Sequence, residues 1–297
     1  MPTSRPTEPR NTLLVHGRRK GTALRRIAGA LLAVVPLVLA VGGCGSISAS
    51  AGEFAPAQPG VLTVATSVVP SPGFWEGTPE HPTGGFEYEL ARAMAKRFGL
   101  SSVKVKIVHF HRIVRGHLGG ADLAIDLITP TSEREEVLEF SDPYLKTAPT
   151  VLVQAGTEVP DLKTAQELRW GAIQSTTFVE AIEDSIVPES EPILYDGQQE
   201  VIAALEAGKI EATLLDLPLA VAVAAQSHGR LEAVAQLPEK EALAVAMPED
   251  SPDRQAVDSA IRAFTADGTI EDLLEEWVGE DAVNAESAIP LLHTTLH

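Results

Sequence analysis

Apolar and polar positions alternate along the chain in segments that predict strands and helices in turn. "VLTVAT" (Val61–Thr66) is a short β-rich run, followed by a proline-broken loop, "SVVPSPGFWEGTPEHPTGG". In "FEYELARAMAKRFG", Phe86, Leu90, Met94 and Phe98 recur at helical spacing, and Gly99 supplies the stop. "VKVKIVHF" alternates as a strand does, and "ADLAIDL" reads as a second short one. In "TSEREEVLEFSDPYL", Thr131 or Ser132 with Glu135 predicts a capping box and a helix. Arg134 would then stand in the first helical turn, where the macrodipole disfavours a cation.

The pattern then repeats. "LRWGAIQ" predicts a strand, "STTFVEAIEDSI" a helix capped by Thr177 and Glu180, and "QQEVIAALEAG" a helix ending at Gly208. "IEATLLD" is a strand, and Pro218 suits the start of the helix that runs on to Gly229. "EALAVAMPED" predicts another strand, "SPDRQAVDSAIRAFTADG" and "TIEDLLEEWVG" two helices, and residues 281–297 a tail. No self-similar period of about 20–50 residues is present. Alternating strands and helices predict an α/β protein with largely parallel sheets, arranged as two lobes rather than one continuous sheet.

The first 60 residues follow other rules. Arg18, Arg19, Lys20, Arg25 and Arg26 precede the uncharged run "IAGALLAVVPLVLAV", the signature of an export signal over residues 1–43. The run contains Pro36 and is shorter than the roughly 20 residues a spanning helix needs. It ends in "VGGC", which resembles the lipobox of bacterial lipoproteins and makes Cys44 the expected lipidation site. Cys44 is the sole cysteine, so no intramolecular disulfide can form. Residues 44–59, rich in small residues and proline, read as a tether. The whole chain carries a formal charge of −18; residues 1–43 hold seven Lys/Arg and one Glu, so the remainder carries −24. Such a surface repels nucleic acid and anionic lipid headgroups.

The order of segments resembles the extracellular solute-binding proteins, family 3, of ABC uptake systems for polar amino acids. "GGFEYELARAMAKRFG", "ADLAIDLITPTSEREEVLEFSDPYL", "WGAIQSTT", "LEAGKIEATLLDLP" and "AFTADGTIEDLLEEWVG" carry the resemblance. It implies a type II periplasmic-binding-protein-like fold, α/β, with two lobes joined by two crossing hinge strands near residues 148–154 and 241–246. Lobe 1 would comprise residues 60–149 and 243–280, and lobe 2 residues 150–242. A ligand would be clamped as the lobes close. The implied partners are a small-molecule amino acid and an ABC permease, for a monomer held to the outer face of the cell membrane through lipid on Cys44. No cofactor and no metal are implied.

A free amino acid needs a cation or N–H groups for its carboxylate and an anion for its ammonium, because either charge is costly to bury alone. Arg134 matches the family's carboxylate-binding arginine, and a solvated arginine among glutamates would show no preference for a helix start. Thr129 matches a hydroxyl that meets the same carboxylate, and Leu127 would offer its main-chain carbonyl to the ammonium. Ser175, Thr176 and Thr177 open a helix, where they serve as caps or leave N–H groups for the carboxylate; the family usually has glycine at Ser175. Asp216 matches the aspartate that pairs with the ammonium and equally suits the start of the next helix. Phe74 and Trp75 fit either an aromatic lid or packing between lobes.

"HRIVRGHLGGAD" resembles a stretch of acidic-amino-acid receptors in which Arg112 would meet the side-chain carboxylate, although it equally fits a solvated loop. Thr66 and Ser67 stand where receptors for cationic ligands tend to carry an acid. Glutamate or aspartate is therefore the expected ligand. His109 and His111, placed on one strand face with His117 nearby, lack a carboxylate or cysteine at ligand spacing to make a metal site. Two other functions share the fold, a ligand-sensing receptor subunit and a cyclohexadienyl-dehydratase-like enzyme. The enzyme needs a general acid in the cleft, and the motifs suggest none beyond Asp216.

Overall fold

The computed structural model describes residues 53–293. The expected signal, the Cys44 lipidation site and most of the tether lie outside these residues. Among them, no helix is long and apolar enough to cross a membrane.

The chain opens with β1 (Val61–Thr66), the hairpin β2 (Glu76–Gly77) and β3 (Pro82–Gly84), α1 (Phe86–Arg97) and β4 (Ser102–Ile107). Next come the short α2 (Phe110–Ile113), β5 (Leu123–Ala124), β6 (Leu138–Thr147) and β7 (Pro149–Gln154). α3 (Leu162–Glu167), β8 (Trp170–Ile173), α4 (Thr177–Glu180), β9 (Ile193–Tyr195), α5 (Gln198–Glu206), β10 (Ala212–Asp216), α6 (Leu217–Gln226) and β11 (Leu231–Gln236) follow. β12 (Glu241–Pro248), α7 (Arg254–Ala266), α8 (Thr269–Val278) and α9 (Glu280–Ala288) complete it.

Two five-stranded sheets result, ordered β4-β1-β5-β12-β6 and β11-β7-β10-β8-β9. Both are mixed rather than largely parallel. β12 runs antiparallel to β5 and β6, and β7 antiparallel to β10 and β11. These are the strands by which the chain enters the second lobe and returns, so their direction follows from the crossing itself. Only Ala148, fully buried, separates β6 in one sheet from β7 in the other. The return passes from β11 to β12, and Glu241 pairs with Thr147.

The buried faces follow the sequence periodicity. Phe86, Leu90 and Met94 of α1 pack with Leu62 and Val64 of β1 in one core, and Val151, Val153, Trp170 and Leu214 form another in lobe 2.

Four local expectations change. Residues 131–137 form a single 3₁₀ turn, Arg134–Glu136, rather than a helix. Thr131 Oγ1 accepts from the Arg134 amide at 3.2 Å, and Leu138 already belongs to β6. A turn this short has almost no macrodipole, so the dipole argument against a cation there does not hold. The helix expected at residues 175–186 is α4 continued by a π-helical turn over Ala181–Ile186, and no side chain caps its start. Residues 281–297, read as a tail, instead begin within α9, which packs on α6. The Gln236 side-chain amide donates to the carbonyls of Glu286 and Ile289, and Leu292 N donates to the Gln236 carbonyl. The histidines also differ: His109 precedes α2 and His111 lies within it, rather than on a strand face.

Candidate ligand-binding cleft

Where the carboxyl ends of β1, β5 and β10 face one another across the two lobes, they enclose a cavity of about 60 Å³. That is room for a handful of waters, so the lobes stand nearly closed. Its wall brings together Thr129, Leu127, Arg134, Thr176, Thr177, Asp216 and Trp75 from the expected set. Ser175 reaches the site through its main chain. Phe74 does not line the cavity; it is fully buried and meets Phe86 edge-on at 5.7 Å.

Arg134, 7% exposed, spans the cleft. Nη1 donates to the Thr129 carbonyl at 2.5 Å and Nη2 to the Ser175 carbonyl of the other lobe at 2.8 Å. Two of the guanidinium's five N–H donors are thereby placed, leaving others for a ligand. Its Cζ lies over the Phe110 ring, 5.5 Å from the ring centre, a cation–π contact that helps hold the side chain. Burial pulls its pKa down from the ordinary arginine value, and Glu241, Glu133, Glu180 and Asp216 oppose that shift.

Asp216 stands at the junction of β10 and α6, yet its carboxylate makes no capping hydrogen bond. It is 4% exposed, and Oδ1 has no hydrogen-bond partner among the described residues. Burial, then Glu241 and Glu87, raise its pKa well above the usual carboxylate range. Thr129 donates its hydroxyl proton to Glu241 at 2.5 Å, so it keeps only lone pairs for a ligand. Leu127 has φ +51° and Ser175 φ +64°, both left-handed conformations that cost a side chain energy. The second explains the glycine expected at position 175: serine accepts a strain there that glycine would not feel.

Three acidic residues at the cavity were not foreseen: Glu87, Asp126 and Glu241. Glu87 on α1 is buried and fully engaged. It accepts from Trp75 Nε1 at 2.6 Å, the Tyr144 hydroxyl at 2.5 Å and the Leu127 amide at 2.9 Å. Burial, then the nearby Asp126, raise its pKa to about 7. Asp126 accepts from Thr66 Oγ1 at 2.7 Å, and burial lifts its pKa to about 6. Asp126 ends the apolar run "LAI", but that place alone does not give it a role, and Glu87 after "GGF" carries no such signal. Thus the reading that only Asp216 supplies acid to the cleft is too narrow.

Arg112 is exposed on α2 and lines a surface depression with Lys106 and His109 instead of the cavity. Across the cleft mouth, Ser71 Oγ donates to Gln198 Oε1 at 3.0 Å, a contact between the lobes that the sequence did not suggest.

Two α/β lobes, two crossing strands and a polar cavity between them define a type II periplasmic binding protein. The chain belongs to the bacterial extracellular solute-binding proteins, family 3, whose profile matches residues 62–280. The L-cystine-binding protein TcyJ of Escherichia coli is 27% identical over 201 residues, 66% of this chain and 75% of that one. The glutamate-binding protein GluB of Corynebacterium glutamicum is 23% identical over 280 residues, 88% of this chain and 94% of that one. An amino acid ABC transporter substrate-binding protein of Streptococcus pneumoniae bound to L-arginine superposes with a TM-score of 0.65. It shares 27% identity and covers 74% of this chain and 94% of its own. These relatives are substrate-binding transport proteins, and their named ligands differ in charge.

Proposed function

We propose that this protein is an exported lipoprotein, anchored through Cys44, that binds an amino acid between its lobes and delivers it to an ABC importer. The observation that carries the reading is the pairing, inside one cavity, of a buried arginine with free N–H groups and a buried aspartate with a free oxygen. Arg134 takes the ligand's α-carboxylate, beside Thr176 and Thr177 at the start of α4. Asp216 takes the α-ammonium, together with the Leu127 carbonyl and the lone pairs of Thr129. A zwitterion seated this way neutralises both charges that the empty site leaves poorly compensated. Because Arg134 and Thr129 belong to one lobe and Asp216 and Thr176 to the other, the ligand holds the lobes together.

The expected acidic ligand loses its main support, since Arg112 faces solvent and the cavity is lined by four carboxylates. Binding without catalysis fits the acids best: both Glu87 oxygens are already occupied, so it is not poised to pass a proton to a ligand.

A thermal-shift screen against the twenty amino acids tests the reading. At least one should stabilise the protein, by about 2.7 kcal/mol at 100 times its dissociation constant. Arg134→Ala should lose that stabilisation. No shift with any amino acid, or an equal shift in the variant, would contradict the assignment.

A further inference from the structure

Resting on the seating of the α-groups just described, the geometry points to a cationic side chain on the ligand, met by Asp126. The cavity is lined by Glu87, Asp126, Asp216 and Glu241 against Arg134, the one Lys/Arg on its wall among the described residues. The α-carboxylate and α-ammonium of an amino acid cancel, so with a neutral ligand that excess of acids is relieved only by protons held on Glu87, Asp126 and Asp216, whose pKa values burial raises. An acidic ligand increases it. A side-chain cation reduces it.

The position of the free oxygens makes the inference local. Two buried carboxylate oxygens at this cavity have no hydrogen-bond partner among the described residues: Asp216 Oδ1 and Asp126 Oδ2. They come from opposite lobes, at the ends of β10 and just past β5. Asp126 is 8% exposed; Thr66 Oγ1 holds its other oxygen at 2.7 Å, and the Ser67 amide and hydroxyl beside it lower its pKa, while Oδ2 keeps no full hydrogen bond. One ammonium, the α-amino group, satisfies Asp216. The second acceptor requires a second donor, and a carboxylate prefers a charged one. Trp75 and Phe110 line the same space and supply ring faces and apolar surface suited to the methylenes of a long basic side chain. Glu87, held by Trp75, Tyr144 and Leu127, does not compete for the ligand.

Calorimetric titration of the full chain with L-lysine, L-arginine, L-glutamine and L-glutamate decides the matter, alongside Asp126→Asn and Asp126→Glu. Lysine or arginine should bind at least about 100-fold more tightly than glutamine, and glutamate most weakly. Asp126→Asn should cut that preference at least tenfold while changing the affinity for glutamine little, and Asp126→Glu should retain most of it. A thermal melt of each variant separates lost folding from lost recognition. If glutamine or glutamate binds tightest, or Asp126→Asn leaves the ranking unchanged, the inference is overturned while the amino-acid receptor stands. If none of the four binds and Arg134→Ala behaves as the parent protein, both fall.

Discussion

At the scale of single residues, Glu87 shows how burial turns an acid into a pH-sensitive structural group. Its folded pKa of about 7 lies above the ordinary 4.5. Between those values the folded state keeps a proton that the unfolded state has released, so stability falls as pH rises through the window. The large negative charge of the chain acts in the same direction, so the slope of the parent protein alone proves nothing. Glu87→Gln isolates the contribution, because the amide cannot titrate. Unliganded parent protein should melt higher at pH 5.5 than at pH 8, and the variant should show a difference smaller by on the order of a few degrees. Equal slopes in the two proteins would remove Glu87 as a titrating group.

At the scale of elements, the turn from β8 into α4 carries the strain. Ser175 sits at φ +64° with its carbonyl turned to Arg134. Ser175→Gly should leave stability unchanged or slightly improved, since relief of the left-handed conformation roughly offsets the added freedom of the unfolded chain. Ser175→Val should destabilise by about 1–2 kcal/mol, because a β-branched side chain tolerates this conformation poorly. Denaturant melts measure both, and a Val variant as stable as the Gly variant would refute the strain.

Much of this was legible in the sequence, and the exceptions have physical causes. Helix periodicity exposed α1, α5, α7 and α8, because each has one face to bury. Arg134, Asp216 and Thr129, named from short local motifs, and Trp75, left open between lid and packing, all line the cavity. Asp126 could not be assigned, because its role arises from pairing between β1 and β5, which sets it against Thr66. Thr66 ends β1 without an acid of its own, and Asp126 from beyond the neighbouring β5 reaches that point instead. Glu241 was hidden for the same reason: only the return crossing brings it to Thr129, far away along the chain. Arg112 misled because a loop motif fixes residue type but not direction. The helix α9 was missed because its alternation of small and acidic residues leaves a weak apolar stripe.

At the scale of the whole molecule, polar contacts between the lobes among the described residues include Arg134 to Ser175, Ser71 to Gln198 and Gln199 Nε2 to the Pro70 carbonyl at 3.4 Å, with Thr129 to Glu241 and the Leu217 amide to Thr147 beside the crossing strands. Such contacts exchange for water at little net cost, so on the proposed seating a ligand bonded to both lobes would fix closure. On the proposed seating, function depends on the ligand's orientation across the cleft. A crystal structure of the protein with the amino acid that stabilises it most tests this directly. The α-carboxylate should lie within hydrogen-bond distance of Arg134 and the α-ammonium within hydrogen-bond distance of Asp216. A ligand bound outside this cavity, or one turned so that its α-carboxylate faces away from Arg134, would contradict the account.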